Sequence, residues 1–204
     1  MEPSNFTEKI TLLSPDLNGG VNLMKALKER KTTREFIKDK PLSLKQISEI
    51  LWCCYGQSHG PENHYKTVPS AVGLFPLEIY VIFPYGIYKY NSDLNELNLC
   101  VKGDYTEKAG KQDFVKNSYM NILIFADITK KTGDPVRDKM MDEFPEKRML
   151  RANIDAGHCT QNVYLYCASE GLNCVERGMC DGDFFIELLK LNHHKFVISQ
   201  SVGY

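Results

Sequence analysis

Residues 148–170 read RMLRANIDAGHCTQNVYLYCASE and form the longest periodic segment of the chain. Small or apolar side chains recur in it at steps of three and four, at Ala152, Ala156, Cys159, Val163 and Tyr166. Such spacing places them on one face of an α-helix. The segment Arg148–Glu170 therefore predicts a long and mostly buried helix.

Gly157 lies inside this helix, where glycine costs about 1 kcal/mol relative to alanine. One interpretation is that the glycine is incidental. The other is that its missing side chain lets a neighbour approach the helix closely. That neighbour would be another helix, a second subunit or a ligand.

Two strongly apolar strands are predicted outside this helix. Leu77–Phe83 reads LEIYVIF and alternates, so that Leu77, Ile79, Val81 and Phe83 share one face. A turn at 84–86 returns the chain as the hairpin partner Ile87–Tyr90, and Tyr119–Ala126 is a second apolar strand. Together with the helices, this mixture of hairpin and long-range strands predicts an α+β fold with one main sheet.

Shorter elements complete this prediction. A helix over Val21–Arg30 is followed by a second one that begins at Ser43, where Ser43 and Gln46 form a capping-box pattern, and that ends at Gly56. The remaining predictions are a loop at Gly56–Asn63, a helical segment at Asp104–Asn117, a helix capped by Asp134, a strand or loop at Asn173–Met179, a helix from Asp181 to about Leu191 and a last strand at Lys195–Val202.

The composition bounds the class of protein. The 204 residues are 43% hydrophobic, with 25 Lys and Arg against 26 Asp and Glu, which suits a single domain over 1–204 with residues 1–20 as an N-terminal extension. A formal net charge of -1 gives no global attraction to nucleic acid. No apolar run approaches the length of a membrane span, and no export signal is present. The seven cysteines form no CxxC pair, so we expect reduced thiols, no metal site and a cytoplasmic location.

Arg30–Phe36 is the first segment that suggests binding. It places Arg30, Lys31, Thr32, Thr33 and Arg34 directly after a helix. Guanidinium forks, a lysine charge and hydroxyl donors are the groups that hold a phosphate. The alternative is that cations at the end of a helix only complement its dipole.

Two further segments favour ligand contact less strongly. The loop Pro69–Pro76 is rich in small residues and proline, so its backbone can lie against a flat ligand; a plain loop before a strand is the alternative. In Val175–Met179, the charges of Glu176 and Arg177 stand beside Gly178 and either point at a ligand or belong to a solvated turn. No P-loop, GxGxxG, GxSxG or HExxH motif is present, and no residue is assigned as a protein nucleophile.

Taken in order, these three segments resemble the FMN-dependent nitroreductase family. Arg30, Lys31, Thr32, Arg34 and Phe36 stand at the places of that family's Arg-Arg-Ser-x-Arg-x-Phe signature. PSAVGLFPLE at residues 69–78 is similar to Pro-Ser-Ala-Gly-Gly-Leu-Tyr-Pro-Leu-Glu in the branch related to SagB-type dehydrogenases, with Val72 where that branch has glycine. IDAGHCTQN at 154–162 is similar to the family's central helix. The resemblance covers roughly residues 22 to 204.

The resemblance implies a mostly antiparallel sheet flanked by helices, in an obligate homodimer with two shared FMN sites. It assigns the phosphate and ribityl chain to Arg30, Lys31, Thr32 and Arg34. It assigns one side of the flavin ring to residues of the partner subunit, namely Pro69, Ser70, Ala71, Gly73 and Leu74. It assigns the border of the ring to Glu176, Arg177 and Gly178, where a backbone amide would lie near the reactive flavin nitrogen. We further expect the Arg177 charge to stabilise the reduced flavin at its pyrimidine edge.

The implied function is a ping-pong oxidoreductase that takes a hydride from NADH or NADPH and passes it to a small nitro, quinone or similar conjugated acceptor. Since a flavin carries this chemistry, no catalytic side chain is required. The alternatives are a SagB-like dehydrogenase that oxidises azoline rings in peptides, a flavin-binding protein without turnover, and a scaffold dimer that binds no flavin.

Overall fold

A computed structural model describes residues 7–59 and 65–204. Its strands are β1 (Lys9–Thr11), β2 (Leu77–Phe83), β3 (Gly86–Asn91), β4 (Glu96–Lys102), β5 (Met120–Asp127), β6 (Asn173–Arg177) and β7 (His194–Gly203). They form one sheet in the order β1-β4-β3-β2-β5-β7-β6. Every pair of neighbours is antiparallel, which confirms the predicted α+β fold.

The described residues form five α-helices: α1 (Leu23–Glu29), α2 (Leu44–Tyr55), α3 (Pro135–Asp142), α4 (Lys147–Glu170) and α5 (Gly182–Leu188). Helices α4 and α5 pack on the sheet, and α1 and α2 pack against α4. Short 3-10 segments lie at Ala71–Gly73, Thr106–Ala109 and Asp113–Asn117. None of the described helices is both long enough and apolar enough to cross a bilayer.

Local sequence signals set the helix ends. The Ser43 hydroxyl accepts a hydrogen bond from the Gln46 amide, the Gln46 side chain caps the Ser43 amide in return, and Gly56 ends α2, as predicted. Asp134 caps α3 by accepting from the amides of Val136 and Arg137. Each cap satisfies amide groups that have no partner inside the helix.

The alternation in β2 divides the interior into two cores. Leu77, Ile79 and Val81 face the core that α2 and α4 cover, whereas Tyr80 and Ile82 face a smaller core beside α5 and the 3-10 segments. This period of two is what a strand buried on both sides requires. The sheet therefore carries α4 on one face and α5 on the other.

The long helix α4 matches its predicted pattern. Ala152, Ala156, Cys159 and Val163 are at most 1% exposed, and Gly171, at φ 65°, ends the helix. A β-carbon added at Gly157 would meet no atom within 4 Å in the described residues. Of the neighbours that the sequence suggested for Gly157, another helix of the described chain is therefore excluded.

Several sequence predictions differ from the structure. Asp104–Asn117 was predicted to be helical, yet it forms two 3-10 turns separated by Gly110. The strands β1 and β4 were not predicted, and β1 makes residues 9–11, expected in an N-terminal extension, part of the sheet. The strand or loop at 173–179 is the edge strand β6. In the predicted loop Gly56–Asn63, residues 60–63 lie outside the described residues.

Candidate functional site

The hydroxyl of Tyr164 joins two of the segments that the sequence singled out. It accepts a hydrogen bond from the backbone amide of Glu176 at 2.7 Å and lies 3.2 Å from the hydroxyl of Thr32. Tyr164 projects from α4, which packs against β6. This contact places the cationic segment after α1 beside the end of β6.

Further hydrogen bonds fix the cationic segment along the edge of the sheet. The amide of Thr33 donates to the carbonyl of Cys174 at 3.0 Å, and the amide of Cys174 donates to the Thr33 hydroxyl at 2.9 Å. The Asn173 side chain donates to the carbonyl of Glu35 at 2.6 Å. Because β6 is an edge strand, its outer backbone groups are available for these bonds. The segment is thus held by its backbone and by the Thr33 hydroxyl, while the side chains of Lys31 and Arg34 remain exposed to a ligand.

The cations of this segment face outward. Lys31 and Arg34 are exposed, and Arg30 is half-buried with its guanidinium carbon 5.3 Å from the centroid of the Tyr164 ring. A guanidinium over an aromatic face is held by a cation–π contact, which also orients it. Tyr164 therefore contacts Arg30 through its ring and Thr32 and Glu176 through its hydroxyl.

The backbone after β6 borders open space. Glu176 is exposed, and a β-carbon added at Gly178 would meet nothing within 4 Å among the described residues. A flat ligand can approach such a backbone closely. The cationic segment, residues 30–34, and residues 176–178 together form what we call the edge site, bordered by Tyr164.

The side chain of Arg177 does not reach the edge site. Successive residues of a strand point to opposite faces, so Arg177 points away from Tyr164 and into the smaller core. There it is 4% exposed and donates to Ser201, to the carbonyl of Ala109 and to Asn121. The guanidinium is therefore turned away from the edge site, and the expectation that its charge stabilises a reduced flavin stays a prediction.

The loop before β2 lies elsewhere on α4. The Ser70 hydroxyl donates to Asp155 Oδ2 at 2.6 Å and accepts from the amide of Phe75 at 2.9 Å. Pro69, Ala71 and Gly73 are exposed, whereas Leu74 is 5% exposed and lines a cavity together with Gly73 and Phe75. The loop borders a cavity of about 270 Å³ together with α4 residues that include Ile154 and His158.

Val72 gives this loop a strained backbone. Its φ of 53° and ψ of 17° lie in the left-handed region, which is a genuine outlier for a β-branched residue. Gly73 follows at φ 69°, and Arg137 Nη1 donates to the carbonyl of Val72 at 3.3 Å. The strain falls at the position where the related branch has glycine, and strained backbone of this kind concentrates at ligand sites.

Asp155 has a perturbed titration next to this loop. Burial raises the pKa of its carboxyl, against the opposing effects of the Ser70 hydrogen bond and of His158. Asp155 as a whole is 3% exposed, so solvent does little to stabilise the charge of its carboxylate. The Ser70–Asp155 pair anchors the loop to α4.

The loop and the edge site lie on opposite sides of α4. Asp155 and Tyr164 are nine positions apart in the helix, which is about two and a half turns. They therefore point in opposite directions, and Asn162, close to the Asp155 side, donates to the carbonyl of Cys53 on α2. Of the three segments that the sequence singled out, the structure thus brings two together and keeps the third apart within one chain.

No group of three or more His, Cys, Asp and Glu residues that could hold a metal ion occurs at residues 7–59 or 65–204. All seven cysteines are free thiols. The interior cysteines Cys54, Cys159, Cys167 and Cys174 are at most 1% exposed, and burial raises the pKa of the Cys159 and Cys167 thiols. These thiols pack as small apolar side chains.

Comparison with known proteins agrees with this fold. A family model described as Nitroreductase family matches residues 27–204. A nitroreductase-family protein of Methanocaldococcus jannaschii is 29% identical over 194 residues, which cover 90% of this chain and 91% of that protein. The crystal structure of a nitroreductase-family protein from Ralstonia eutropha is 34% identical, covers 97% of this chain and 89% of that one, and superposes with a TM-score of 0.83.

A more distant similarity concerns the fold alone. One chain of an Escherichia coli microcin synthetase McbBCD complex, with truncated pro-MccB17 bound, superposes with a TM-score of 0.67 at 15% identity. The match covers 98% of this chain and 79% of that chain.

The antiparallel sheet with a long central helix, and the sequence match over residues 27–204, define an oxidoreductase. The chain belongs to the nitroreductase family.

Proposed function

We propose that this protein is an FMN-dependent homodimeric oxidoreductase that transfers a hydride from NADH or NADPH to a small nitro, quinone or similar conjugated acceptor. Family membership supports an oxidoreductase. The observation that carries the finer proposal is the position of the Tyr164 hydroxyl between Thr32 and Glu176. It makes one edge site out of two segments that the family resemblance assigns to FMN.

The residues of the edge site fit this cofactor. Arg30, Lys31, Thr32 and Arg34 offer the charges and hydroxyl that a phosphate and ribityl chain need. Gly178 offers a backbone without a side chain, beside open space, where a ring can rest. FMN, when bound, supplies the hydride chemistry itself. The chain's own task is to bind the cofactor, orient it and leave one side of the ring accessible.

A homodimer explains why the Ser70 loop lies away from the edge site. Since Asp155 and Tyr164 point to opposite sides of α4, one chain does not bring its own loop to its own edge site by a local movement. Two chains related by a two-fold axis place the loop of one beside the edge site of the other. We therefore keep the assignment of Pro69, Ser70, Ala71, Gly73 and Leu74 to the ring of the partner subunit.

The surface of α4 supports such a dimer. Leu150 and Ile154 are 58% and 53% exposed, and they lie one turn apart with Gly157 following on the same side. On α1, Leu23 and Met24 are also exposed. Exposed apolar side chains grouped on a helix surface mark candidate interaction surfaces. A second copy of the chain covers them in this proposal.

The test is to purify the protein and record its absorption spectrum, which should show flavin bands at about 370 and about 450 nm. Added FMN should raise the melting temperature of the apoprotein, because a ligand that binds only the native state stabilises it. NADH or NADPH should then bleach the bands, and an added quinone should restore them. The proposal is contradicted if the purified protein is colourless and added FMN neither raises its melting temperature nor is itself quenched in fluorescence.

A second candidate is oxidation of an azoline ring in a peptide. The PSAVGLFPLE segment and the fold shared with a microcin synthetase chain favour it. Incubating the flavin-loaded protein with a thiazoline-containing peptide separates the two, since a loss of two hydrogens from the ring, seen by mass spectrometry without NAD(P)H, supports the dehydrogenase. Bound flavin that neither donor nor peptide reduces would support a flavin-binding protein without turnover.

A cytoplasmic location stays a prediction.

A further inference from the structure

Arg177 carries its charge in the interior of the protein, surrounded by neutral partners. Its Nε donates to the Ser201 hydroxyl at 3.1 Å, Nη1 to the carbonyl of Ala109 at 2.8 Å, and Nη2 to Asn121 Oδ1 at 3.0 Å. The residue is 4% exposed. All three acceptors are uncharged. The guanidinium therefore has hydrogen-bond partners but no opposite charge among them.

No carboxylate of the described residues compensates this charge. The charged or titratable neighbour that acts on it is the thiol of Cys180, and burial raises the pKa of that thiol to about 12, so it is neutral at pH 7. Burial lowers the pKa of Arg177 to about 10, which leaves the guanidinium protonated at neutral pH. Buried charges are normally paired, so an unpaired one needs an explanation.

The surroundings are built around this cation. A β-carbon at Gly110 would collide with Arg177 Nη1 in its present position, so the glycine leaves space for the guanidinium where it now lies. Asn121 Oδ1 accepts from both Arg177 and Ser201, while Asn121 Nδ2 has no partner among the described residues. An asparagine held in this orientation presents its negative end to the guanidinium.

The position of Arg177 in the chain connects it to the edge site. The next residue, Gly178, borders the open space of that site, and the backbone amide of the preceding residue, Glu176, donates to Tyr164. The side chains of Glu176 and Arg177 point to opposite faces of the strand. The guanidinium therefore lies on the reverse side of the strand that the proposed function gives to the flavin ring. The intervening material is packed protein, in which a charge is screened far less than in water.

We propose that Arg177, through its buried and uncompensated charge, raises the reduction potential of the flavin at the edge site without touching the ring. This inference rests on the proposed function. A hydride from NAD(P)H brings two electrons and one proton, so the neutral oxidised ring gains one negative charge while the donor leaves as NAD(P)⁺. A fixed positive charge nearby favours the charged, reduced form over the neutral, oxidised one.

The experiment compares the affinity for oxidised and reduced FMN in wild type and two variants. Arg177→Met removes the charge and keeps much of the side-chain volume. Asn121→Asp keeps Arg177 and places a carboxylate oxygen where Oδ1 now lies, 3.0 Å from Nη2. In both variants, we expect the ratio of Kd for reduced to Kd for oxidised FMN to rise about tenfold or more, which equals a fall in midpoint potential of about 30 mV.

Ser201→Ala is the matched control, because it removes one hydrogen-bond partner of Arg177 and leaves the charge in place. Its midpoint potential should match that of wild type. If Arg177→Met does not fold, Asn121→Asp decides alone, since an ion pair there should keep the protein folded. A purely structural role for Arg177 predicts that both variants change stability and leave the potential unchanged, and that result overturns the inference.

Failure of the proposed function has a different signature. A wild-type protein that binds no FMN removes the edge site as a flavin site, and the inference with it. A wild type that binds FMN, together with variants of unchanged potential, overturns only the role of Arg177.

Discussion

The hydroxyl oxygen of Tyr164 lies 2.7 Å from the backbone nitrogen of Glu176 and accepts its hydrogen bond. The same oxygen is 3.2 Å from the hydroxyl of Thr32, and the ring of Tyr164 lies under Arg30. One side chain of the central helix thus connects the two segments of the edge site. Its removal should affect the site more than its contribution to the core suggests.

We expect Tyr164→Phe to lower both stability and FMN affinity. The variant leaves the Glu176 amide without its acceptor, which costs about 1–3 kcal/mol when the group is buried, and it releases Thr32. Urea unfolding measures the first effect and FMN titration the second. Tyr166→Phe is the control, because Tyr166 also loses a hydroxyl bond, to Glu49 at 2.8 Å, on another side of α4. The control should lose stability but retain FMN affinity, and equal FMN affinity in both variants argues against the edge site.

Arg30→Ala should weaken FMN binding at low salt. A hydrogen bond to a charged group contributes about 1.5–3 kcal/mol, so the dissociation constant should rise by about one to two orders of magnitude. Lys25→Ala, on the same helix, removes an equal charge whose contact is an exposed pair with Glu29, and it should bind FMN as wild type does. If the two variants lose affinity equally, the effect is long-range charge rather than contact at Arg30.

Gly157→Leu should dissociate the proposed dimer while leaving the subunit folded. No atom of the described chain lies within 4 Å of a β-carbon at this position, and leucine favours a helix more than glycine does. Light scattering after size-exclusion chromatography measures the oligomeric state. Gly157→Ala adds only a methyl group and should remain dimeric. A leucine variant that stays dimeric and equally stable would show that no subunit approaches α4 here.

Asp155→Asn should stabilise the protein at neutral pH and lose that advantage in acid. Burial raises the pKa of this carboxyl in the native state, so the native protein holds the proton more tightly than the unfolded chain. Stability therefore falls as pH rises through the range above 3.8, and the neutral asparagine removes this loss. Urea unfolding of wild type and Asp155→Asn at about pH 4 and about pH 7 measures the difference in stability.

Asp142 provides the control of opposite sign. Hydrogen bonds from Lys131 and Arg148 lower the pKa of its carboxyl, so its charged form stabilises the native state above the unfolded pKa and this contribution is lost as pH falls. Asp142→Asn should therefore reduce stability at neutral pH and approach wild type in acid. Equal pH profiles for the two variants would contradict the raised pKa of Asp155.

Signals within a few residues of one another were sufficient for much of the fold. The alternation of Leu77–Phe83 and the capping pair Ser43 and Gln46 each depend on local backbone geometry, and the structure reproduces both. The strand β4 was missed although Leu97 and Leu99 alternate with Asn98, because a half-exposed strand of mixed composition carries a weak pattern. The strand β1 has three residues and exists through its pairing with β4.

The amino-acid sequence by itself determined the strongly patterned elements and the chemistry available to the site: a cationic segment after α1, a loop of small residues before β2, and a glycine after two charged residues. Tertiary structure alone decided which of them meet. Tyr164 reaches Glu176 because α4 packs on β6, and Arg177 lies in the opposite core because Asn173–Arg177 is a strand whose residues alternate between faces. Periodicity along a chain fixes which residues share a face, but the partner of each face depends on contacts between residues far apart in the sequence.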